Sequence, residues 1–166
     1  PRFYFADDTQ LGSFGQWWQL GDKLLHGTIP ILEPHAWQAG NYVAEGQWRL
    51  VNPRIWIVAI VTRLSEHPVV AVPIVKIAFL ALFSLGVFVL ARSFGASASW
   101  AALAGILVPA AGFTVYMDSA SWSSGLFNAA VLPWVWWALR RAVEMRRSPW
   151  PYLISSYLLV TFGYVF

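Results

Sequence analysis

An all-α polytopic membrane protein is the fold class this sequence predicts, and three observations carry the prediction. Of its 166 residues 58% are hydrophobic and 11% charged, well under the roughly 25% charged content of a soluble domain. Eleven Trp and eleven Phe would leave large apolar patches on a soluble fold, whereas a bilayer accepts them and favours Trp at its interfaces. After residue 67 apolar stretches also follow one another with only short polar turns between them, and the mean hydropathy is +0.54.

From Pro68 to Ala91 the sequence is apolar apart from Lys76 and Ser84, long enough to span about 30 Å of hydrocarbon at ~1.5 Å per residue. Arg92 to Ser97 is a short turn, and residues 98–115 form a second expected span, rich in Ala and Gly. In and beside it Ser97, Ala101 and Gly105 recur every fourth residue. One face is therefore small enough for close helix contact. A polar turn over residues 116–124 carries Asp118, and a Trp-rich third span is expected over 125–139, broken by Pro133. It runs into Arg140, Arg141, Arg146 and Arg147, after which a fourth span begins at Tyr152 and is cut short at Phe166. With no initiator Met and an end inside an apolar run, a fragment of a longer chain is expected.

Basic turns at Arg92 and Arg140 to Arg147 alternate with an acidic turn at Asp118, so the positive-inside rule puts the Arg-bearing turns in the cytoplasm and residues 1–67 outside. That outer segment holds Asp7, Asp8, Asp22, Glu33, Glu45 and Glu66, six of the eight acidic residues. Leu11, Phe14, Trp18 and Leu25 follow helical spacing from a cap at Asp8 or Thr9 to Gly27, which predicts an interfacial helix in spite of Gly12, Gly15 and Gly21. Residues 28–52 contain Pro30, Pro34, Gly40 and Gly46 and read as an extended loop closed by Asn52-Pro53, a cap and first-turn pair. Ile55 to Leu64 then forms a second helix, too short to span and flanked by Arg54 and Arg63, so it too is expected at the interface.

The net charge of +3 does not point to nucleic acid, because four of the eleven basic residues lie in one short Arg cluster that topology explains. With no Cys, disulfides, thiolate catalysis and Cys-based metal sites are excluded.

The wording FADDTQLGSFGQWWQLGDKLLHGTIPILEP through GNYVAEGQWRLVNP, with an acidic pair, two interfacial helices and then closely spaced spans, resembles the first extracytoplasmic loop of the GT-C fold glycosyltransferases. It looks most like YfhO-like membrane proteins of actinobacterial type. The resemblance covers the whole chain and implies a GT-C-like transmembrane helix bundle with an outer loop bearing interfacial helices. It implies a multi-pass protein of the bacterial cytoplasmic (inner) membrane with an extracytoplasmic active face. The activity it implies is transfer of a sugar from a polyprenyl-phosphate donor to a glycan or lipid acceptor. Members of that superfamily carry an essential carboxylate early in the loop, which maps onto Asp7 or Asp8.

A carboxylate there suits the chemistry, since the acceptor hydroxyl loses a proton as it attacks the anomeric carbon. Asp8 is placed to cap the following helix, where backbone N–H groups lower its basicity, so Asp7 is the preferred base. The alternative is that both are a solvated helix start. A donor phosphate needs cationic or metal neutralisation. Lys76, Arg49, Arg54, His26 and His35 are the candidates, although Lys76 can equally snorkel to the interface. A divalent cation held by Asp7, Asp8 and Asp118 would suit hard-cation chemistry without any spacing that demands it, and Asp118 alternatively caps the next helix. Trp17, Trp18, Trp37 and Trp48 can stack on a sugar or simply anchor at the interface. The rival functions are a polytopic lipid or glycan transporter or flippase, which needs polar groups at the midplane of broken helices, and a non-catalytic membrane scaffold subunit.

Overall fold

A computed structural model describes residues 14–29, 31, 53–65, 68–112, 123–144 and 146–162. Among the described residues every element is an α-helix: α1 (Phe14–Leu25), α2 (Pro53–Leu64), α3 (Pro68–Ser93), α4 (Ala98–Leu107), α5 (Ser123–Val143) and α6 (Trp150–Phe162). The chain divides into two compact units, the first reaching to Val75 and the second running from Lys76 to Gly163.

In the first unit α1 lies against α2. Its outer flank is wet, with Trp18 and Leu25 exposed, while Leu20 on α1 and Ala59 on α2 are fully buried. The helix stops where Gly27 takes φ +74°, a conformation only glycine adopts freely. Thr28 N–H then reaches back to the Lys23 carbonyl at 2.8 Å and Gly27 N–H to that of Leu24 at 3.0 Å. This paired closure satisfies carbonyls the helix leaves open and ends α1 where the sequence predicts. The start expected at Asp8 or Thr9 lies outside the described residues.

In the second unit α3 is the organising element. Ile74–Ser93 is the one helix, among the described residues, long and apolar enough to cross a membrane, and 17% of its most apolar window is buried inside protein. A core helix of a soluble fold would be mostly covered. α3 ends like α1: Gly95 sits at φ +89°, with Ala96 N–H on the Ala91 carbonyl at 3.2 Å and Gly95 N–H on that of Arg92 at 3.0 Å.

α4 and α5 both reach α3 through glycine. The Ala101 and Gly105 face of α4 is buried, and a Cβ on Gly105 would stand 2.9 Å from the Ser84 carbonyl oxygen of α3. The expected small-residue contact is there. Ser97 plays another part, as the N-cap whose hydroxyl accepts from Trp100 N–H at 3.4 Å. On the α5 side, a Cβ on Gly86 would fall 2.6 Å from Trp134 Nε1 and 3.1 Å from Pro133 Cγ. Phe79 and Phe127 stack with centroids 4.1 Å apart, and Phe127 is fully buried.

Two expected spans differ in the structure. Within the span expected over 98–115, α4 runs to Leu107, about 15 Å at ~1.5 Å per residue, residues 108–110 form a turn, and residues 113–115 lie outside the described residues. Pro109 has no N–H to continue the ladder, while Val108 before it keeps helical angles, φ −64° and ψ −48°, with its N–H on the Ala104 carbonyl. The break expected at Pro133 is absent: α5 continues through it from Ser123 to Val143. The proline ring is accommodated beside Gly86, and the longer helix takes Arg140 and Arg141 out of the turn and into its own last turn.

Candidate functional site

The described part of residues 1–67 contains a docked helix pair, α1 and α2, built around Gly21. A Cβ at that position would fall 2.7 Å from the Ala59 carbonyl carbon and 2.8 Å from Arg63 Cβ. Only a residue without a side chain lets the two backbones approach this closely. The approach brings the next residue, Asp22, to Arg63, whose Nε donates to Asp22 Oδ1 at 2.7 Å. The Arg63 guanidinium also lies over the Trp18 ring, 5.1 Å from its centroid.

The hydrogen bond from Arg63, together with its charge and that of nearby His26, holds the Asp22 carboxyl below its ordinary range, although partial desolvation opposes them. A carboxylate so stabilised is a weak proton acceptor. Asp22 therefore serves as a latch between α1 and α2 rather than as a base. His26 closes the same corner. Its Nδ1 donates to the Asp22 backbone carbonyl at 2.7 Å and lies 3.7 Å from Asp22 Oδ1. Because a carbonyl only accepts, Nδ1 carries a proton in this contact.

Of the residues singled out in the sequence, His26 is therefore seated on α1's C-terminal turn beside Asp22 and Arg63. Arg54 is the second residue of α2, with a side chain outside the described residues, and Lys76 is half-buried on α3. Asp7, Asp8, His35, Arg49 and Asp118 lie outside the described residues, and with them both the carboxylate pair and the Asp7, Asp8, Asp118 cation set. The structure adds Asp22 and Arg63, which the sequence marks only as one acid among several and one flank of a helix. They are 41 residues apart, and no local pattern pairs them. Gly21, a poor helix former in an otherwise good helix, is the one signal that could have pointed to a close contact there.

Arg140 is explained without any ligand. Its guanidinium donates to the Ser93 carbonyl, reaches Ser93 Oγ at 3.2 Å, pairs with Glu144, and lies 4.1 Å from the Phe94 ring centroid. It ties the end of α5 to the end of α3, where a cation favours the carbonyl-rich terminus.

No family model, curated protein or solved structure matches the chain.

Proposed function

We infer that this chain is part of a multi-pass membrane glycosyltransferase with a GT-C-like helix bundle. It moves a sugar from a polyprenyl-phosphate donor to an extracytoplasmic glycan or lipid acceptor, with Asp7 as the general base. The observation that carries this is the docked pair α1 and α2. Two short helices, latched backbone to backbone at Gly21 and by Asp22 and Arg63, stand in the segment where the resemblance to GT-C enzymes asks for interfacial helices. α1 begins six residues after Asp8 in the sequence, and a catalytic carboxylate needs support of this kind for precise placement.

Residence in the bilayer is supported by the apolar side chains the second unit turns outward. Ile77 on α3, Ile106 on α4, Trp136 on α5 and Val160 on α6 are all exposed, a surface water would penalise and lipid accepts. The site faces the cell exterior and the bacterial cytoplasmic membrane supplies the donor. The experiment is turnover: membranes carrying the protein are given a polyprenyl-phosphate sugar and an acceptor, and release of polyprenyl phosphate is followed for wild type and Asp7→Asn.

A transporter or flippase is supported by one observation. Asn128 Oδ1 on α5 is buried with no hydrogen-bond partner among the described residues, a polar group inside an apolar helix of the kind that marks translocation paths. On that account Asn128→Leu abolishes movement of a labelled lipid or glycan across the bilayer, and Asp7→Asn leaves it unchanged.

A further inference from the structure

The end of the second unit that carries the arginines is unlike the rest of the chain. Arg92, Arg140, Arg141, Arg146 and Arg147 gather where α3 and α5 end and α6 begins, and among the described residues of this unit Glu144 is the sole carboxylate. Glu144 is taken by Arg140. The remaining arginines have no acidic partner among the described residues.

Between α5 and α6 a cleft of about 350 Å³ opens, lined by Trp134, Trp137, Trp150, Ile154 and Leu158 among others. That volume is in the range of ligand pockets, roughly 300–1,000 Å³. Its walls are apolar in practice. Trp134 Nε1 is spent on the Leu82 carbonyl at 3.1 Å, and the Ser155 hydroxyl on the Pro151 carbonyl at 2.7 Å. Neither offers a polar group to an occupant.

The apolar cleft and the cations meet. The Arg141 guanidinium lies over Trp137, a cleft wall, at 4.8 Å from the ring centroid. The following turn folds back, with Arg147 N–H on the Arg141 carbonyl at 3.0 Å. Between them Arg146 is held at φ 49°, the left-handed region that a non-glycine residue enters only at a conformational cost. That turn sets Arg141 and Arg147 side by side at the end of α5, and Trp150 opens α6 on the other lip of the cleft.

We propose that the cleft between α5 and α6 is a binding site for an anionic phospholipid, one acyl chain lying along Trp134, Trp137, Ile154 and Leu158 and the headgroup phosphate held by Arg141 and Arg147. The occupant follows from charge and shape together. Planar guanidinium groups suit phosphate oxygens, and an apolar trough continuous with the bilayer suits a hydrocarbon chain. A zwitterionic headgroup carries its own cation and gains less from the arginines. The site lies within the second unit and does not depend on the sugar-transfer assignment.

The test is native mass spectrometry of the intact chain released from mixed micelles containing phosphatidylglycerol and phosphatidylcholine, with oligomeric state read from the same spectra. Wild type retains one phosphatidylglycerol in preference to phosphatidylcholine. Arg141→Gln with Arg147→Gln, which leaves the cleft walls in place, weakens that retention by about fivefold per arginine. Leu158→Trp fills the cleft and displaces the lipid with the arginines intact. Equal retention of the two lipids by wild type, or full retention by the double Gln variant, would overturn the assignment. So would a wild-type dimer that Leu158→Trp converts to monomer, because a second copy would then be the occupant.

Discussion

Substituting Gly21 by Ala is decided by the sign of its effect. In an isolated helix the change stabilises by about 1 kcal/mol, because Ala propagates a helix better and restricts the unfolded chain. In the structure the new methyl falls 2.7 Å from the Ala59 carbonyl carbon and 2.8 Å from Arg63 Cβ. The first of these is main chain and cannot rotate aside, so α1 and α2 must separate. Overpacking of this kind costs roughly 1–3 kcal/mol, and separation also stretches the Arg63–Asp22 hydrogen bond of 2.7 Å. Subtracting the propensity gain leaves a destabilisation of roughly 0–2 kcal/mol, to which the stretched hydrogen bond adds. Amide hydrogen exchange over α1 and α2 in the intact protein reads this locally, at about tenfold faster exchange per 1.4 kcal/mol. Ala59→Gly should not rescue it, because the obstruction is backbone rather than the Ala59 methyl. Slower exchange in Gly21→Ala, or full rescue by Ala59→Gly, would show that the helix contact is not the one described.

Gly105→Leu inserts bulk where even a Cβ stands 2.9 Å from the Ser84 carbonyl, so the detergent-solubilised protein should lose stability by about 1–3 kcal/mol. An unchanged melting curve would refute the α3–α4 contact. The Asp22 latch predicts a pH dependence. The folded carboxyl is depressed by Arg63, so its contribution is fully present above the ordinary carboxylate range and is lost as pH falls through the depressed value. The protection factors over α1, which remove the intrinsic pH dependence of amide exchange, should fall in acid in wild type and lose that pH response in Asp22→Asn. Identical pH profiles for the two would refute the latch.

Elements governed by local chemistry were legible in the sequence. Gly27 ends α1 through its left-handed backbone, and the small-residue spacing of Ala101 and Gly105 marks the buried face of α4. What was not legible depends on partners distant along the chain. Pro133 is a breaker by local rules, yet α5 runs through it, packed against Gly86 of another helix. Gly21 counts against a helix by propensity and turns out to be its point of contact. The Asp22–Arg63 pair spans 41 residues, so neither residue announces the other. Within the second expected span, apolar composition runs on past Leu107 while the α4 ladder is interrupted by a turn at residues 108–110 beside Pro109. The site carboxylates Asp7 and Asp8 rest on chemistry and resemblance, and their part is tested by turnover.

The central claim is that Asp7 accepts the proton of the acceptor hydroxyl, and it is tested most directly by comparing Asp7→Asn with Asp8→Asn for turnover of a polyprenyl-phosphate sugar, with donor binding measured on the same preparations. Asn keeps the shape of the side chain but takes no proton. Asp7→Asn should therefore lower kcat by roughly 10²–10⁴ with donor affinity little changed. Asp8→Asn, nearly as good a cap, should keep most of its activity. Loss of turnover in Asp8→Asn alone would move the base to Asp8, and full turnover in both variants would contradict sugar transfer by this loop.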